Sequence, residues 1–150
     1  VTLLLARIPP APVTAVSALL PAQPVSVGDG RRFLRRTLQD WACDDLTDTA
    51  CLLASELLTN SVRHACDPLR LRLRRTRDEL HVEFCDGSPV LPHARAAAPD
   101  EESGRGLALL DQLAATWGTL ATQEGKAVWF SLPLPASARL PQRASRRTQE

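Results

Sequence analysis

The sequence has few aromatic residues and no large excess of charge of either sign. Aromatic side chains make up 4% of its 150 residues, and tyrosine is absent, which leaves little material for a platform that stacks single-stranded nucleic acid. The formal net charge is +1, but residues 136–150 carry four arginines against one glutamate, so residues 1–135 hold about −2. We therefore expect no nucleic-acid partner for the main body of the chain.

Closely spaced cysteine pairs are also absent. The four cysteines are Cys43, Cys51, Cys66 and Cys85, and no two of them form a Cys-x-x-Cys pair. A chain of this size can bury an adequate core without disulfides, and structural zinc sites usually draw on such pairs. The sequence therefore predicts reduced thiols in a cytoplasmic protein, with neither a disulfide framework nor a zinc site.

A long uninterrupted apolar helix is missing as well. Residues 8–28 carry no charge over 21 positions, which is nominally enough to span a bilayer. Proline breaks a helix, however, and this stretch contains Pro9, Pro10, Pro12, Pro21 and Pro24. We expect no membrane span and no signal peptide, and we interpret residues 1–24 as a proline-rich leader with an edge strand at Val13–Leu20.

The remaining composition fits one folded domain. Hydrophobic residues make up 44% of the chain and charged residues 23%, close to the averages of globular proteins. We place the domain at residues 25–135 and a flexible, arginine-rich tail at residues 136–150.

Helical periodicity predicts two helices in the first half of the domain. Apolar residues recur at helical spacing over Val25–Trp41, with Asp29 as a candidate N-terminal cap. The second helix is expected from near Asp45, where a capping box begins, to about Ala65. The outer side of the first helix is basic and forms either a solvated face or a docking face for a partner. Its arginines are Arg31, Arg32, Arg35 and Arg36.

The second half of the domain predicts two β-hairpins and a further helix. Leucine and arginine alternate over Leu69–Arg74, and apolar and polar residues alternate over Leu80–Cys85, so these segments form an antiparallel hairpin with one buried face. The other expected elements are a long loop at Gly87–Ser103, a helix at Gly106–Ala115 and a closing hairpin of Thr116–Thr122 with Lys126–Leu134. We predict an α+β fold, a two-layer sandwich in which helices cover one face of an antiparallel or mixed sheet.

Three polar residues, Glu56, Asn60 and His64, form one row along the second helix because they are spaced four apart. The row is either the polar edge of an amphipathic helix or part of a site. In such a site the Asn60 amide oxygen would ligate Mg²⁺, and Glu56 would orient or deprotonate a nucleophile. A third interpretation makes His64 a phosphoacceptor.

Two further motifs contain glycine. Asp86-Gly87 ends a predicted strand, where the carboxylate can accept a hydrogen bond from an exocyclic amine while the glycine lets a ring approach; an ordinary turn is the competing interpretation. In Glu102–Leu107, Gly104 and Gly106 stand at the start of the predicted third helix, where backbone N–H groups and the helix dipole attract an anion.

The order of these motifs resembles the GHKL (Bergerat-fold) ATPase superfamily, in particular the small bacterial anti-sigma-factor serine kinases and their stand-alone ATP-binding relatives. The resemblance covers about Val25–Leu134. Residues Glu56–Ala65 match the N box of that superfamily, Asp86–Pro89 match its adenine-binding G1 box, and Ser103–Leu107 match its G2 box. The closing hairpin, from Trp117-Gly118 to Gly125–Phe130, also fits the superfamily.

This resemblance implies a role for each matched residue. Asn60 would ligate the Mg²⁺ that bridges the phosphates of ATP, Asp86 would hold the adenine amine, and Gly104 and Gly106 would cradle phosphates. Glu56 would be the catalytic general base. The other residues placed at the nucleotide are His64, Gly87, Arg105 and Leu107, with Arg105 either neutralising phosphate charge or pointing to solvent.

The function implied by the resemblance is that of an anti-sigma factor acting as a protein serine kinase. Glu56 would accept the proton of a serine hydroxyl on an antagonist protein during phosphoryl transfer from ATP. The alternative is a non-catalytic protein, with or without bound ATP, that sequesters a sigma factor or another regulator. The expected partners are therefore a sigma factor or its antagonist, and a second copy of the chain is a further candidate.

Overall fold

The structure is a computed structural model that describes residues 14–63, 69–87, 102–123 and 125–139, with side chains at all of these except residues 102–105 and 137. The strands in these ranges are β1 (Thr14–Leu20), β2 (Leu69–Arg75), β3 (Glu79–Asp86), β4 (Thr116–Thr122) and β5 (Gly125–Pro133). The helices are α1 (Val25–Asp40), α2 (Thr47–Arg63) and α3 (Glu102–Leu113), with 3₁₀ turns at Asp44–Leu46 and Ala136–Ala138.

The five strands form one sheet in the order β1-β2-β3-β5-β4, and every neighbouring pair is antiparallel. Successive side chains of a strand point to opposite faces, so the alternation in β2 separates its leucines from its arginines. Leu71 and Leu73 are fully buried under the helices, whereas Arg70 and Arg72 are exposed on the other side, which we call the open face.

The core lies between the sheet and the helices. Helix α2 packs between α1 and α3, and its apolar side faces β3. Fully buried members of this core include Leu34, Leu38, Leu53, Leu58, Leu71, Leu73, Leu80, Val82, Leu110 and Phe130. The predicted α+β two-layer fold is thus confirmed, with a sheet that is antiparallel throughout.

The start of α1 differs from the prediction that Asp29 caps it. The helix begins at Val25, with Pro24 at the cap position, and Asp29 lies inside the helix, where it forms an ion pair with Arg32. Proline favours the beginning of a helix because its ring fixes a helical φ, here −54° at Pro24. The helix therefore starts one turn before the carboxylate that resembled a cap.

The second helix begins two residues after the expected position. Asp45 belongs to the 3₁₀ turn Asp44–Leu46, and α2 starts at Thr47. The structure describes α2 up to Arg63, so its expected end at Ala65 lies outside the described residues.

Helix α3 begins at Glu102, four residues earlier than the predicted start at Gly106. Gly104, which was expected to precede the helix, and Gly106, which was expected to begin it, therefore both lie inside its first turns. Glycine disfavours a helix by only about 1 kcal/mol, which the burial of Leu107 and Leu110 readily offsets.

The two ends of the chain are described only in part. Of the strand expected at Val13–Leu20, Thr14–Leu20 is present as β1 at one edge of the sheet, and Val13 lies outside the described residues. The tail is described as far as Arg139, whose Nε donates a hydrogen bond to the Leu134 carbonyl at 3.1 Å. Within the described ranges, no helix combines the length and apolarity that a membrane crossing requires. The domain boundaries proposed after residues 24 and 135 stay predictions.

Candidate functional site

Two residues of the α2 row lie directly against α3. Glu56 and Asn60 are half-buried, and Gly106 of α3 faces them. A Cβ atom built on Gly106 would lie 3.2 Å from Asn60 Nδ2 and 3.6 Å from Glu56 Cβ. Gly106 is 46 positions after Asn60 and 50 positions after Glu56 in the sequence. The α2 row and the glycine motif at the start of α3 therefore meet at one place in the fold.

The absence of a side chain at Gly106 keeps space beside the Asn60 amide. A contact of 3.2 Å is tighter than ordinary van der Waals contact, so an alanine here would displace the amide or the helix. The amide and the Glu56 carboxylate supply the oxygen atoms that a hard cation such as Mg²⁺ prefers.

Asp86 ends β3 on the helix-facing side of the sheet. It shares this face with Val82 and Phe84 because side chains two positions apart in a strand point the same way. The residue is 8% exposed, and the Ser61 hydroxyl donates a hydrogen bond to its Oδ2 at 3.3 Å. Since Ser61 follows Asn60 on α2, this bond links the Asp86-Gly87 motif to the α2 row.

Lys126 of β5 lies beside the same carboxylate. Asp86 and Lys126 are direct partners in the β3–β5 register, and Nζ is 3.7 Å from Asp86 Oδ2. Lys126 is also only 8% exposed. Neither Lys126 nor Ser61 was predicted as a site residue, because their approach to Asp86 depends on strand register and helix packing across long sequence separations.

Gly125 allows β5 to begin against the end of β3. Its φ is +152°, which side-chain-bearing residues rarely adopt. A Cβ there would lie 2.0 Å from the Asp86 carbonyl oxygen and 2.7 Å from the Gly87 carbonyl carbon. No other residue fits this position, and the close approach holds Lys126 opposite Asp86.

The other predicted site residues are placed in part. Gly87 directly follows β3, and Gly104 and Arg105 belong to the first two turns of α3. Leu107 is 6% exposed and packs in the hydrophobic core. His64 lies outside the described residues.

The cysteine thiols described by the structure are free. These are Cys43, Cys51 and Cys85, and burial is the main cause that raises the pKa of each. For Cys85, on the open face, burial and the neighbouring Glu83 carboxylate raise the pKa to about 11. In the described part of the chain, no group of three or more His, Cys, Asp or Glu side chains is arranged to hold a metal ion.

The arrangement therefore offers three kinds of group on one side of the sheet. Asp86 is a buried acceptor with a hydroxyl and an ammonium beside it. The Asn60 amide nitrogen and the Glu56 Cβ atom lie against Gly106 of α3. The N-terminal turns of α3 contribute the positive end of a helix dipole, which favours anions.

Comparison with known proteins identifies the family. The model of the histidine kinase-like ATPase domain matches residues 20–132, a span that includes every site residue discussed above. No curated protein matches the chain. A match over this much of the sequence, on a five-stranded antiparallel sheet covered by helices, establishes that the chain belongs to the family of histidine kinase-like, or GHKL-type, ATPase domains.

Proposed function

We propose that this ATPase domain is a protein serine kinase that acts as an anti-sigma factor and phosphorylates an antagonist of that factor. The observation that carries the proposal is the meeting of Glu56 and Asn60 with Gly106 of α3. Glu56 precedes the candidate metal ligand Asn60 by one helical turn, and both residues lie beside a helix start that contains glycine, which supports the proposal.

The residues present fit ATP and Mg²⁺. The space that a Cβ at Gly106 would fill lies beside the amide nitrogen of Asn60, and the oxygen of the same amide is a suitable Mg²⁺ ligand. Asp86 is a buried acceptor for the adenine amine, and the N-terminal turns of α3 favour phosphate. When bound, ATP with Mg²⁺ supplies the phosphoryl group and neutralises part of its charge.

Within this proposal, each residue of the chain has a defined task. Asn60 and the start of α3 orient the phosphates, and Asp86 anchors the base. Glu56 accepts the proton of the serine hydroxyl. At the same time the serine oxygen forms a bond to the transferred phosphorus, and the bond between that phosphorus and ADP breaks. Positioning and general-base assistance are then the chain's contributions, and the second is typically worth about 10² to 10⁴ in rate.

Phosphate transfer with the Glu56→Gln variant tests the proposal. The antagonist is first captured with the wild-type protein from its own cells and then purified. With radiolabelled ATP, Glu56→Gln should bind ATP within a few-fold of the wild type and transfer phosphate about 10² to 10⁴ more slowly. Asp48→Asn is the matched control, because Asp48 is an exposed acid on the same helix, two turns from Glu56.

Three outcomes would change the assignment. If wild-type protein binds ATP and its partner but transfers no phosphate, the protein is instead a regulator that sequesters its partner. If Glu56→Gln abolishes ATP binding, Glu56 belongs to the nucleotide or metal shell, not to catalysis. If neither Asn60→Ala nor Asp86→Asn weakens ATP binding in calorimetry, the site itself is wrongly placed.

A further inference from the structure

The pair formed by Asp86 and Lys126 contains a group that the three motifs do not use. Lys126 is the only lysine in the sequence, although lysine and arginine together number 18. Its ammonium is buried together with the Asp86 carboxylate, and the distance from Lys126 Nζ to Asp86 Oδ2 is 3.7 Å. A buried charge is costly unless it is paired, and the Asp86 carboxylate is the counter-charge nearest to this ammonium among the described ion pairs.

The chemistry of Lys126 differs from that of the arginines used elsewhere. An arginine fork would match a carboxylate with two parallel hydrogen bonds and engage both of its oxygens. An ammonium is a compact donor with three N–H groups, so one of them can serve Asp86 and another can serve a ligand bound beside it. The Lys126 ammonium approaches one oxygen of the carboxylate, Oδ2, whereas an arginine fork would engage both oxygens.

A donor beside an acceptor matches the edge of an aminated base. In adenine the exocyclic amine, a donor, stands between ring nitrogens N1 and N7, which are acceptors. We propose that Lys126 is a second base-reading residue, whose ammonium donates to a ring nitrogen next to the amine that Asp86 accepts. This inference rests on the proposed function, because it takes Asp86 as the adenine contact.

The backbone supports this placement of the ammonium. Lys126 stands opposite Asp86 in the strand register, and the close approach at Gly125 fixes the beginning of β5 against the end of β3. The Ser61 hydroxyl holds the same Asp86 oxygen at 3.3 Å. The carboxylate is thus fixed from two elements, so the lysine and the acceptor are held together before a base binds.

Nucleotide analogues test the inference on the unaltered protein. The dissociation constants of ATP, 1-deaza-ATP and 7-deaza-ATP are measured by calorimetry. We expect one of the two analogues to bind about 10-fold to 100-fold more weakly than ATP, as the loss of a hydrogen bond to a charged donor predicts. The weaker analogue identifies which ring nitrogen is read. Equal binding of all three would overturn the inference.

A variant then assigns the lost contact to Lys126. Lys126→Met should weaken ATP binding by the same factor, and it should bind the sensitive analogue no more weakly than it binds ATP. Arg77→Met is the matched control, because Arg77 is exposed in the turn between β2 and β3, at the end of β3 that is far from Asp86. If the loss of affinity caused by Lys126→Met multiplies with the loss caused by the sensitive analogue, Lys126 does not contact the ring nitrogen that this analogue lacks.

A second measurement covers the case in which Lys126→Met does not fold. Lysine labelled with ¹³C at Cε gives a single side-chain signal, because the sequence has one lysine. ATP should shift this signal, and the sensitive analogue should shift it much less. A signal that ATP leaves unmoved contradicts the inference.

The proposed function and the role of Lys126 can be refuted separately. If the wild-type protein binds no triphosphate, the proposed function is wrong and the role of Lys126 falls with it. If ATP binds and depends on Asp86 and Asn60 while the Lys126 tests fail, only the second base contact is withdrawn.

Discussion

Two carboxylates of β3 lie three residues apart on opposite faces of the sheet and have different surroundings. Asp86, on the helix-facing side, has 5% of its side chain exposed and lies 3.7 Å from Lys126 Nζ. Glu83, on the open face, has 22% exposed and lies 4.0 Å from Arg74 Nη2 and 3.9 Å from His81 Nε2. One carboxylate is enclosed beside the candidate site, and the other belongs to a partly hydrated ladder of polar side chains.

The open-face ladder has the character of structural cross-strand packing. The His81 ring stacks on Trp129 of β5 with ring centroids 5.1 Å apart, and Glu83 accepts a hydrogen bond from the Cys85 thiol at 3.3 Å. Contacts of this kind each contribute about 0.2–1 kcal/mol. Because Glu83 has several neighbours and access to water, the loss of one contact can be compensated there, whereas Asp86 and Lys126 are both almost fully buried.

The two faces should therefore differ most in the stability that is lost when the carboxylate of each is removed. Asp86→Ala leaves the Lys126 ammonium buried without this counter-charge and should lower the free energy of unfolding by about 3–5 kcal/mol. Glu83→Ala should lower it by less than about 1 kcal/mol. Urea denaturation without nucleotide measures both, and Asp86→Ala combined with Lys126→Met should recover most of the loss. Similar costs for the two single variants would show that the faces do not differ in this way.

The arginines of β2 extend the comparison to cations. Arg75, on the helix-facing side, donates hydrogen bonds to the carbonyls of Trp41 and Ala138, which follow α1 and β5. Arg75→Ala should cost about 2–4 kcal/mol, since two hydrogen bonds from a charged donor are lost. Arg72→Ala, on the open face, should stay within about 0.5 kcal/mol of the wild type. Thermal unfolding of both variants measures the contrast, and an equal shift would contradict it.

The contact between α2 and α3 predicts a smaller effect, and one that concerns binding. Gly106→Ala places a Cβ 3.2 Å from Asn60 Nδ2 and should weaken ATP binding by roughly 10-fold, because the amide must move. Gly28→Ala in α1 is the matched control, since a Cβ there has no neighbour closer than 3.8 Å and alanine favours a helix. Calorimetry with ATP checks both, and unchanged binding by Gly106→Ala would mean that the Asn60 amide is not needed where it stands.

Local patterns predicted most of the fold because it is built from regular periodicities. Alternation over Leu69–Arg74 and Leu80–Cys85 located the first hairpin, which the structure confirms as β2 and β3. The start of α3 was misplaced because glycines suggested a loop, whereas the burial of Leu107 outweighs their low helix propensity.

The candidate site was predictable only in its sequence-local parts. The row of Glu56 and Asn60 follows from helical spacing within α2. The contacts of Ser61 and Lys126 with Asp86 join positions 25 and 40 residues apart, and no local pattern encodes such pairings. The available signals for Lys126 were its place in the closing hairpin that fits the superfamily and its being the one lysine in an arginine-rich chain.

The smallest expected effect is a pH dependence that belongs to the open face. The pKa of Glu83 is held below its ordinary value, first by His81 and then by the Cys85 thiol and Arg74, against the opposing effect of burial. Glu83 therefore stabilises the fold fully above the ordinary glutamate pKa of about 4.3, and this contribution is lost as the pH falls through the lower pKa of the folded state. The free energy of unfolding of wild type minus that of Glu83→Gln should be larger at pH 6 than at pH 3, by less than about 1 kcal/mol. Glu79→Gln, exposed at the start of the same strand, controls for the loss of a carboxylate, and a difference that grows on acidification would reverse the sign assigned to Glu83.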